Sequence, residues 1–515
     1  MAPSGIASLK IIVGGLILYL VAIAIISFYG WKKTGSTPDD YYLGGRSLGV
    51  LVLTGTMLAT YFSTFAFLGG PGFWYSNGAS FLNFAFWNIT GAFLVWIVGS
   101  RFWLLGQRFD HITPSDMLAG FYEKDHSVRI LAAIIGITAL IPYATIQLTG
   151  VGKALVGLTG GEAPFWLGVV VLTAMVAGYI VVGGLRAVAW TDVLQGFVFL
   201  VFLVVSAALT INWAGGLTAG FGSALQVDPS QWTYAVSPAE QGSWLDLTLI
   251  WVVGWVFLPH LWQRMFMARD PRVLAQSAFL SGTLSLWIIT FMGLLIGGIG
   301  SGLIPTLPAG QSADAIVPVL FAEFFPAGGV LLVVAAYAAA MSTMGSQILT
   351  SSSLFVRDIA KKPFRPEMDE RTESWIGRVF IVVFAAIVLV LALSPVGRTA
   401  LIPLASDGVA LAVLFVPPVV GLFYWEEAST NGARWSLAVG YVFMQLTIWT
   451  PVGDYLLYFD SAIWGLIVAS VVYYGVSKVS DPVPEETQRE YREVLQDGMR
   501  IPESVRPEIA DPADD

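Results

Sequence analysis

The chain has 515 residues, 56% of them hydrophobic and 12% charged, with a mean hydropathy of +0.73 and no cysteine. This is the balance of a polytopic membrane protein, and it excludes disulfides, thiolate metal sites and cysteine nucleophiles. The net charge of −9 excludes the basic footprint of a nucleic-acid binder.

From the N-terminus, Met1–Ser8 lacks a charged n-region and a small-residue cleavage site, so the first apolar stretch reads as a membrane helix, not a cleaved signal. Windows of about 20 apolar residues, enough to cross a bilayer, then recur to the end of the chain. They predict thirteen helices: α1 over 11–31, α2 48–75, α3 78–105, α4 128–156, α5 163–184, α6 188–212, α7 243–267, α8 272–303, α9 327–357, α10 373–395, α11 398–425, α12 432–450 and α13 459–477. With the N-terminus outside, these crossings put 18 of the 21 Lys and Arg before Lys478 on the inner side. Only Lys10, Lys153 and Arg398 fall outside, a positive-inside bias that supports the helix count and the orientation together. From Lys478 onward there are eleven acidic and five basic residues. This acidic tail reads as a solvated, partly disordered cytoplasmic end.

Inside α2, the run Ala59–Gly72 ends in Gly69-Gly70-Pro71-Gly72. A membrane helix normally satisfies its backbone internally, so such a break implies either a kink or a use for the freed groups. The long outer loop 212–244, rich in Gly, Ser, Pro and Gln, reads as a connector between two halves. Helix α7 follows and is interrupted in turn, at Leu258-Pro259-His260. Two Gly/Pro-interrupted helices in corresponding positions of two halves point to a transporter's binding site.

Polar residues at membrane depth come next. In α9, Ser342 and Ser346 lie four apart on one face with Thr343 beside them. Such hydroxyls serve either helix packing and back-bonding or, as hard neutral oxygens, a sodium ion. Asp192 lies in the first turns of α6, as a helix-dipole acid or a functional intramembrane one. Trp251 and Trp255 sit beside the α7 break at a spacing of four, shared by Tyr143 and Gln147 in α4, and read as either pocket or core. His111, His126 and His260 are scattered, Gly150-Val151-Gly152-Lys153 is no phosphate loop, and no nucleophile–base pair is present. The chain is not read as an enzyme.

Together, Leu43-Gly44-Gly45-Arg46, Ala59–Gly72, Gly183-Gly184-Leu185 through Trp190-Thr191-Asp192 and Gln195, Leu258-Pro259-His260 and Met341-Ser342-Thr343 through Gln347 resemble the sodium:solute symporter family over about 41–424. The resemblance implies an all-α polytopic membrane protein of 13 transmembrane helices with a LeuT-type 5+5 inverted-repeat core and broken α2 and α7. The core would span 41–425, preceded by an extra helix and inner loop (1–40) and followed by two helices (426–477) and the acidic tail (478–515). It further implies sodium as coupling ion with no organic cofactor, and a multi-pass cell-membrane protein whose partners are a small solute and lipid. The implied sodium ligands are the carbonyls of Ala59, Phe62 and Ala339 and the hydroxyls of Ser342 and Thr343. Asp192 and Ser346 would form a second sodium or proton site, with Gly345 standing where a further hydroxyl is expected. Ser63, Thr64, Phe65, Tyr143, Gln147, Trp251 and Trp255 would face the substrate. The motif run is similar to pantothenate and monocarboxylate carriers, which implies a small carboxylate. Proline carriers have an acid at the place of Tyr61, though they share an aromatic like Trp251. A sensor on the same fold is the different-class alternative.

Overall fold

The computed structural model describes residues 9–32, 43–61, 63–233 and 238–499. These form helices throughout, with one isolated bridge between Leu48 and Ala268. Among the described residues ten helices are long and apolar enough to cross a membrane, or eleven with the two halves of α2 counted as one bent span. Of the other predicted helices, α5 is shorter, Phe165–Val181. Helix α12 is present as Thr430–Trp449 but is not among the ten, since Asn431, Arg434 and Gln445 dilute its apolar content.

Helical structure covers Phe165–Trp213, 49 residues. A straight rod of that length would measure about 74 Å at ~1.5 Å per residue, over twice the ~30 Å hydrocarbon core. Its two ends nevertheless reach one end of the bundle. Phe165 packs on Gly152 of α4, while Trp213 meets Phe321 and Phe324 in the short helix Ile316–Phe324, whose Pro318 abuts Gly157 of the same α4. The chain therefore reverses within this element, and α5 and α6 are its two limbs.

Both predicted interruptions are present, one of them displaced. Helix α2 ends its first half at Tyr61, bends by 58° and resumes at Phe65. The break thus precedes Gly69-Gly70-Pro71-Gly72, which is helical, with Pro71 in the first turn of Gly70–Asn77. Those glycines serve close approach instead. A Cβ on Gly72 would come within 2.8 Å of the Asp314 backbone nitrogen, and one on Gly297 of α8 would lie 1.9 Å from the Pro71 carbonyl oxygen. In α7 the break falls where predicted: Leu258 is extended (φ −60°, ψ 128°) and Pro259 opens Pro259–Met267. Proline suits that first position because its missing N–H has no helical acceptor there and its φ is already helical.

Helix α9, Gly329–Ser353, is buried along its last three turns. It packs on α1, α4, α10, the first half of α2 and the α5–α6 element, so its hydroxyls face protein and not lipid. Ion networks hold both ends of the bundle. At the predicted inner end, the short helix Pro114–Phe121 presents Asp116 to Arg129 of α4 and to Lys362, and Arg129 also reaches Asp358, 3.0 Å away. At the opposite end, Lys153 of α4 binds Asp314 at 2.7 Å and the Thr399 carbonyl at 2.8 Å.

Two loop expectations need correction. The 212–244 connector contains a helix, Leu217–Val227, packed on α8 so closely that a Cβ on Gly302 would meet the Ala224 nitrogen at 2.6 Å. The acidic tail is ordered at first: Glu485–Met499 is an amphipathic helix with Tyr491 and Leu495 buried. Tyr491 stacks on Phe109 at 4.2 Å, and Gln488 donates to the Glu426 carbonyl. A period-3.6 apolar stripe in a charged sequence was the available signal. Residues 500–515 lie outside the described part.

Candidate functional site

The first half of α2 meets α9 at the break. The Ser342 hydroxyl donates to the carbonyls of Ala59 and Ala339, both at 3.0 Å, and the Thr343 hydroxyl to Ala59 at 3.1 Å. Four of the five predicted sodium ligands thus converge, all buried; the fifth, Phe62, lies outside the described residues. The cluster is built of uncharged hard oxygens, a donor set suited to a weakly bound monovalent cation and poor for Ca²⁺, which favours carboxylates. With a cation seated, the two hydroxyls would turn their protons away and offer lone pairs.

One turn further along α9, Ser346 enters a different cluster. Asp192 is fully buried and accepts from Thr56 of α2 at 2.7 Å. Arg264, in the second half of α7, lies 3.6 Å from the same carboxylate oxygen. It donates to Thr56 (3.2 Å), to the His260 carbonyl (2.8 Å) and to Ser346. Sequence reasoning placed Arg264 among the inner basic residues and missed this role, because an Arg in the last turn of a predicted membrane helix looks like an interfacial cation. Its surroundings are decided by α2, α6 and α9.

The predicted substrate residues separate into two groups. Thr64 donates through its backbone nitrogen (3.1 Å) and its hydroxyl (3.0 Å) to the Gln147 side-chain oxygen. Gln147 donates to the Tyr143 carbonyl, and the Phe65 N–H to the Ser63 hydroxyl. The donors freed by the break are thus held by side chains. Tyr143 Oη is buried and has no hydrogen-bond partner among the described residues.

Phe65, Trp251 and Trp255 line a cavity, open on one side, together with Tyr61, Trp87 and Ser285. Its rings are contiguous: Phe65–Trp251 at 4.5 Å, Trp251–Trp255 at 5.6 Å, Tyr61–Trp255 at 5.3 Å and Trp87–Trp251 stacked at 6.3 Å. Trp251 donates to Ser406 of α11 at 3.1 Å, which fixes the central ring. Tyr143 joins the two groups through its edge contact with Trp255 at 5.9 Å. Among the described residues the lining contains no Asp, Glu, Lys or Arg. Trp87 was not foreseen; its place one turn before Gly91 on α3, a large ring beside a gap, was the signal.

A model of the sodium:solute symporter family matches residues 41–440. The sodium/pantothenate symporter of Escherichia coli K12 is 30% identical over 437 residues, covering 82% of this chain and 88% of that protein. The sodium/proline symporter of the same organism is 27% identical, covering 85% and 87%. Among solved structures, a substrate-bound, outward-open sodium-coupled sialic acid symporter superposes with a TM-score of 0.75 at 18% identity, covering 92% of this chain and 98% of that one. That likeness concerns the fold.

Proposed function

The chain belongs to the sodium:solute symporter family, a family of sodium-coupled transporters of small solutes, and from that premise we propose that it imports a small organic carboxylate, pantothenate or a short monocarboxylate, by alternating access. The observation that carries the proposal is the junction of Ser342 and Thr343 with Ala59. It lies where the break in α2 meets α9, so an ion bound there ties a bent helix to a straight one. We further propose thirteen crossings with the N-terminus outside, a 5+5 inverted repeat over α2–α11, and the Arg129–Asp116 and Lys153–Asp314 networks at the inner and outer ends.

In this mechanism external sodium takes the oxygens of Ala59, Ala339, Ser342 and Thr343 and orders the break. The donors of Thr64, now held by Gln147, and of Phe65, now held by the Ser63 hydroxyl, turn to the carboxylate together with that hydroxyl, while the aromatic wall receives the apolar body. The lining has no acid to repel an anion. Occupancy of both sites permits inward opening, and low internal sodium releases both. Coupling is reciprocal: substrate tightens sodium by the factor by which sodium tightens substrate.

One observation favours a second reading, an amino acid such as proline: contiguous aromatic faces with no competing cation suit an ammonium group. Purified protein in liposomes under an inward sodium gradient, offered labelled pantothenate, lactate, pyruvate, acetate and proline, separates the two. Sodium-dependent accumulation of a carboxylate supports the first reading and of proline the second. No response to sodium in uptake or in thermal stability overturns both.

A further inference from the structure

Two polar clusters lie one α9 turn apart, and only one of them lacks a positive charge. Around Ala59, Ser342 and Thr343 every oxygen is uncharged. Around Asp192 a carboxylate is already met by a guanidinium: Arg264 lies 3.6 Å from it, hydrogen-bonds Thr56, which in turn holds the same carboxylate oxygen, and donates to Ser346. Both side chains are almost wholly buried. A buried carboxylate needs a cation or a proton to offset its desolvation, and Arg264 supplies one that cannot dissociate. We infer that Arg264 is a tethered cation occupying the position that a second sodium would need, so that this transporter carries one sodium per cycle.

Three further features agree. A sodium added between Asp192 and Ser346 would leave the buried group with a net positive charge beside a guanidinium, a repulsion amplified at low effective dielectric. The Ser346 hydroxyl, which donates to the Ser342 carbonyl at 3.1 Å, already accepts from Arg264. The neighbouring position on α9 is Gly345, and the space a side chain would take there is filled: a Cβ would lie 2.3 Å from Tyr179 Oη, which donates to the Met341 carbonyl at 3.1 Å. The other carboxylate oxygen, Asp192 Oδ1, has no hydrogen-bond partner among the described residues, so removing the guanidinium would leave an acid able to recruit an ion.

Arg264 also links the inner half of α7 to α2, α6 and α9 without touching the cavity, which makes it a positioning residue for the sodium site through Ser346 and Ser342. This inference rests on the sodium reading of the Ser342–Thr343 cluster, and its test distinguishes the two. Equilibrium binding of ²²Na⁺ to purified protein is expected to give one ion per chain in the wild type and in Arg264→Lys. It should give two in Arg264→Gln and one again in Arg264→Gln/Asp192→Asn. Two ions in the wild type, falling to one in Asp192→Asn, would overturn it, as would one ion in a folded Arg264→Gln. Should Arg264→Gln not fold, the wild-type sodium-to-substrate flux ratio, read from the reversal potential in liposomes, decides: one supports the inference and two overturns it. Failure of the underlying sodium site looks different, because Ser342→Ala would then leave the wild-type stoichiometry and affinity unchanged.

Discussion

The Ser342 hydroxyl donates to the Ala59 carbonyl oxygen over 3.0 Å, across 283 positions of sequence. That single bond, with its Thr343 neighbour at 3.1 Å, joins the interrupted helix to the helix that packs on both halves of the chain. Replacing Ser342 or Thr343 by Ala removes one oxygen from the proposed ion shell. Sodium activation of uptake is expected to shift to about tenfold higher concentration, the equivalent of ~1.4 kcal/mol. An unchanged activation curve in both variants would remove the site.

The aromatic cavity makes a separate prediction. Trp251 stacks on Trp87, packs at a tilt against Phe65 and Trp255, and is steadied by Ser406. Trp251→Ala is expected to raise the substrate KM about tenfold or more. Sodium binding measured without substrate should stay within about twofold, because the ring is no part of the ion shell. Trp251→Phe, which keeps a face and loses the bond to Ser406, should fall between. Loss of sodium binding in the same variants would mean the ring holds the fold and not the solute.

Close helix approach at Gly297 is a stability question. Substituting Ala for Gly inside a helix usually gains about 0.5–1 kcal/mol, but here the new methyl group would lie 1.9 Å from the Pro71 carbonyl oxygen, and backbone cannot step aside as a flexible side chain can. Gly297→Ala is expected to cost about 1–3 kcal/mol and to lower the melting temperature of the purified protein. Gly14→Ala in α1, with nothing within 4 Å of the added atom, should be neutral or slightly stabilising. Equal melting temperatures for the two variants would contradict the packing described here.

The docked tail helix should respond to pH. His111, in the loop between α3 and the short helix Pro114–Phe121, is pushed down to about 4, mainly by burial, with the Lys362, Arg129 and Arg46 charges adding to it and Asp116 opposing. Its ring lies against Tyr491 of the tail, 3.3 Å from nitrogen to hydroxyl. Because the folded value lies below the free one of about 6.5, the neutral ring's contribution is complete above that pH and is lost as pH falls towards 4. Protection of the backbone amides in 485–499 against hydrogen exchange, taken relative to the intrinsic rate at each pH, is expected to fall between pH 7 and pH 5 in the wild type. In His111→Gln it should be flatter across that interval, while the same exchange profile in both proteins would clear His111 of the effect.

Much of the frame is legible along the chain because the relevant forces are local. Apolar runs long enough for a bilayer, the Leu258-Pro259 interruption and the hydroxyls of Ser342 and Thr343 each follow from a short stretch of residues. Other features were beyond local reading. The α2 break falls after Tyr61 and not at Gly69-Gly70-Pro71-Gly72, because glycine permits a bend but also permits contact, and only the approach of Asp314 and Gly297 decides between them. Trp87 enters the cavity, and the tail helix finds Phe109, for the same reason: an aromatic face or an amphipathic stripe does not name what covers it.

Sequence by itself determined the membrane class, the helical order, the interruption of both α2 and α7 and the residue types of the Ala59–Ser342–Thr343 cluster, since hydropathy, proline stereochemistry and oxygen chemistry act within a few residues. The tertiary structure alone decided that Arg264 is a buried partner of Asp192 and not an interfacial cation, because the sign and distance of a counter-charge depend on α2, α6, α7 and α9 meeting in space, and no spacing along one helix encodes that meeting.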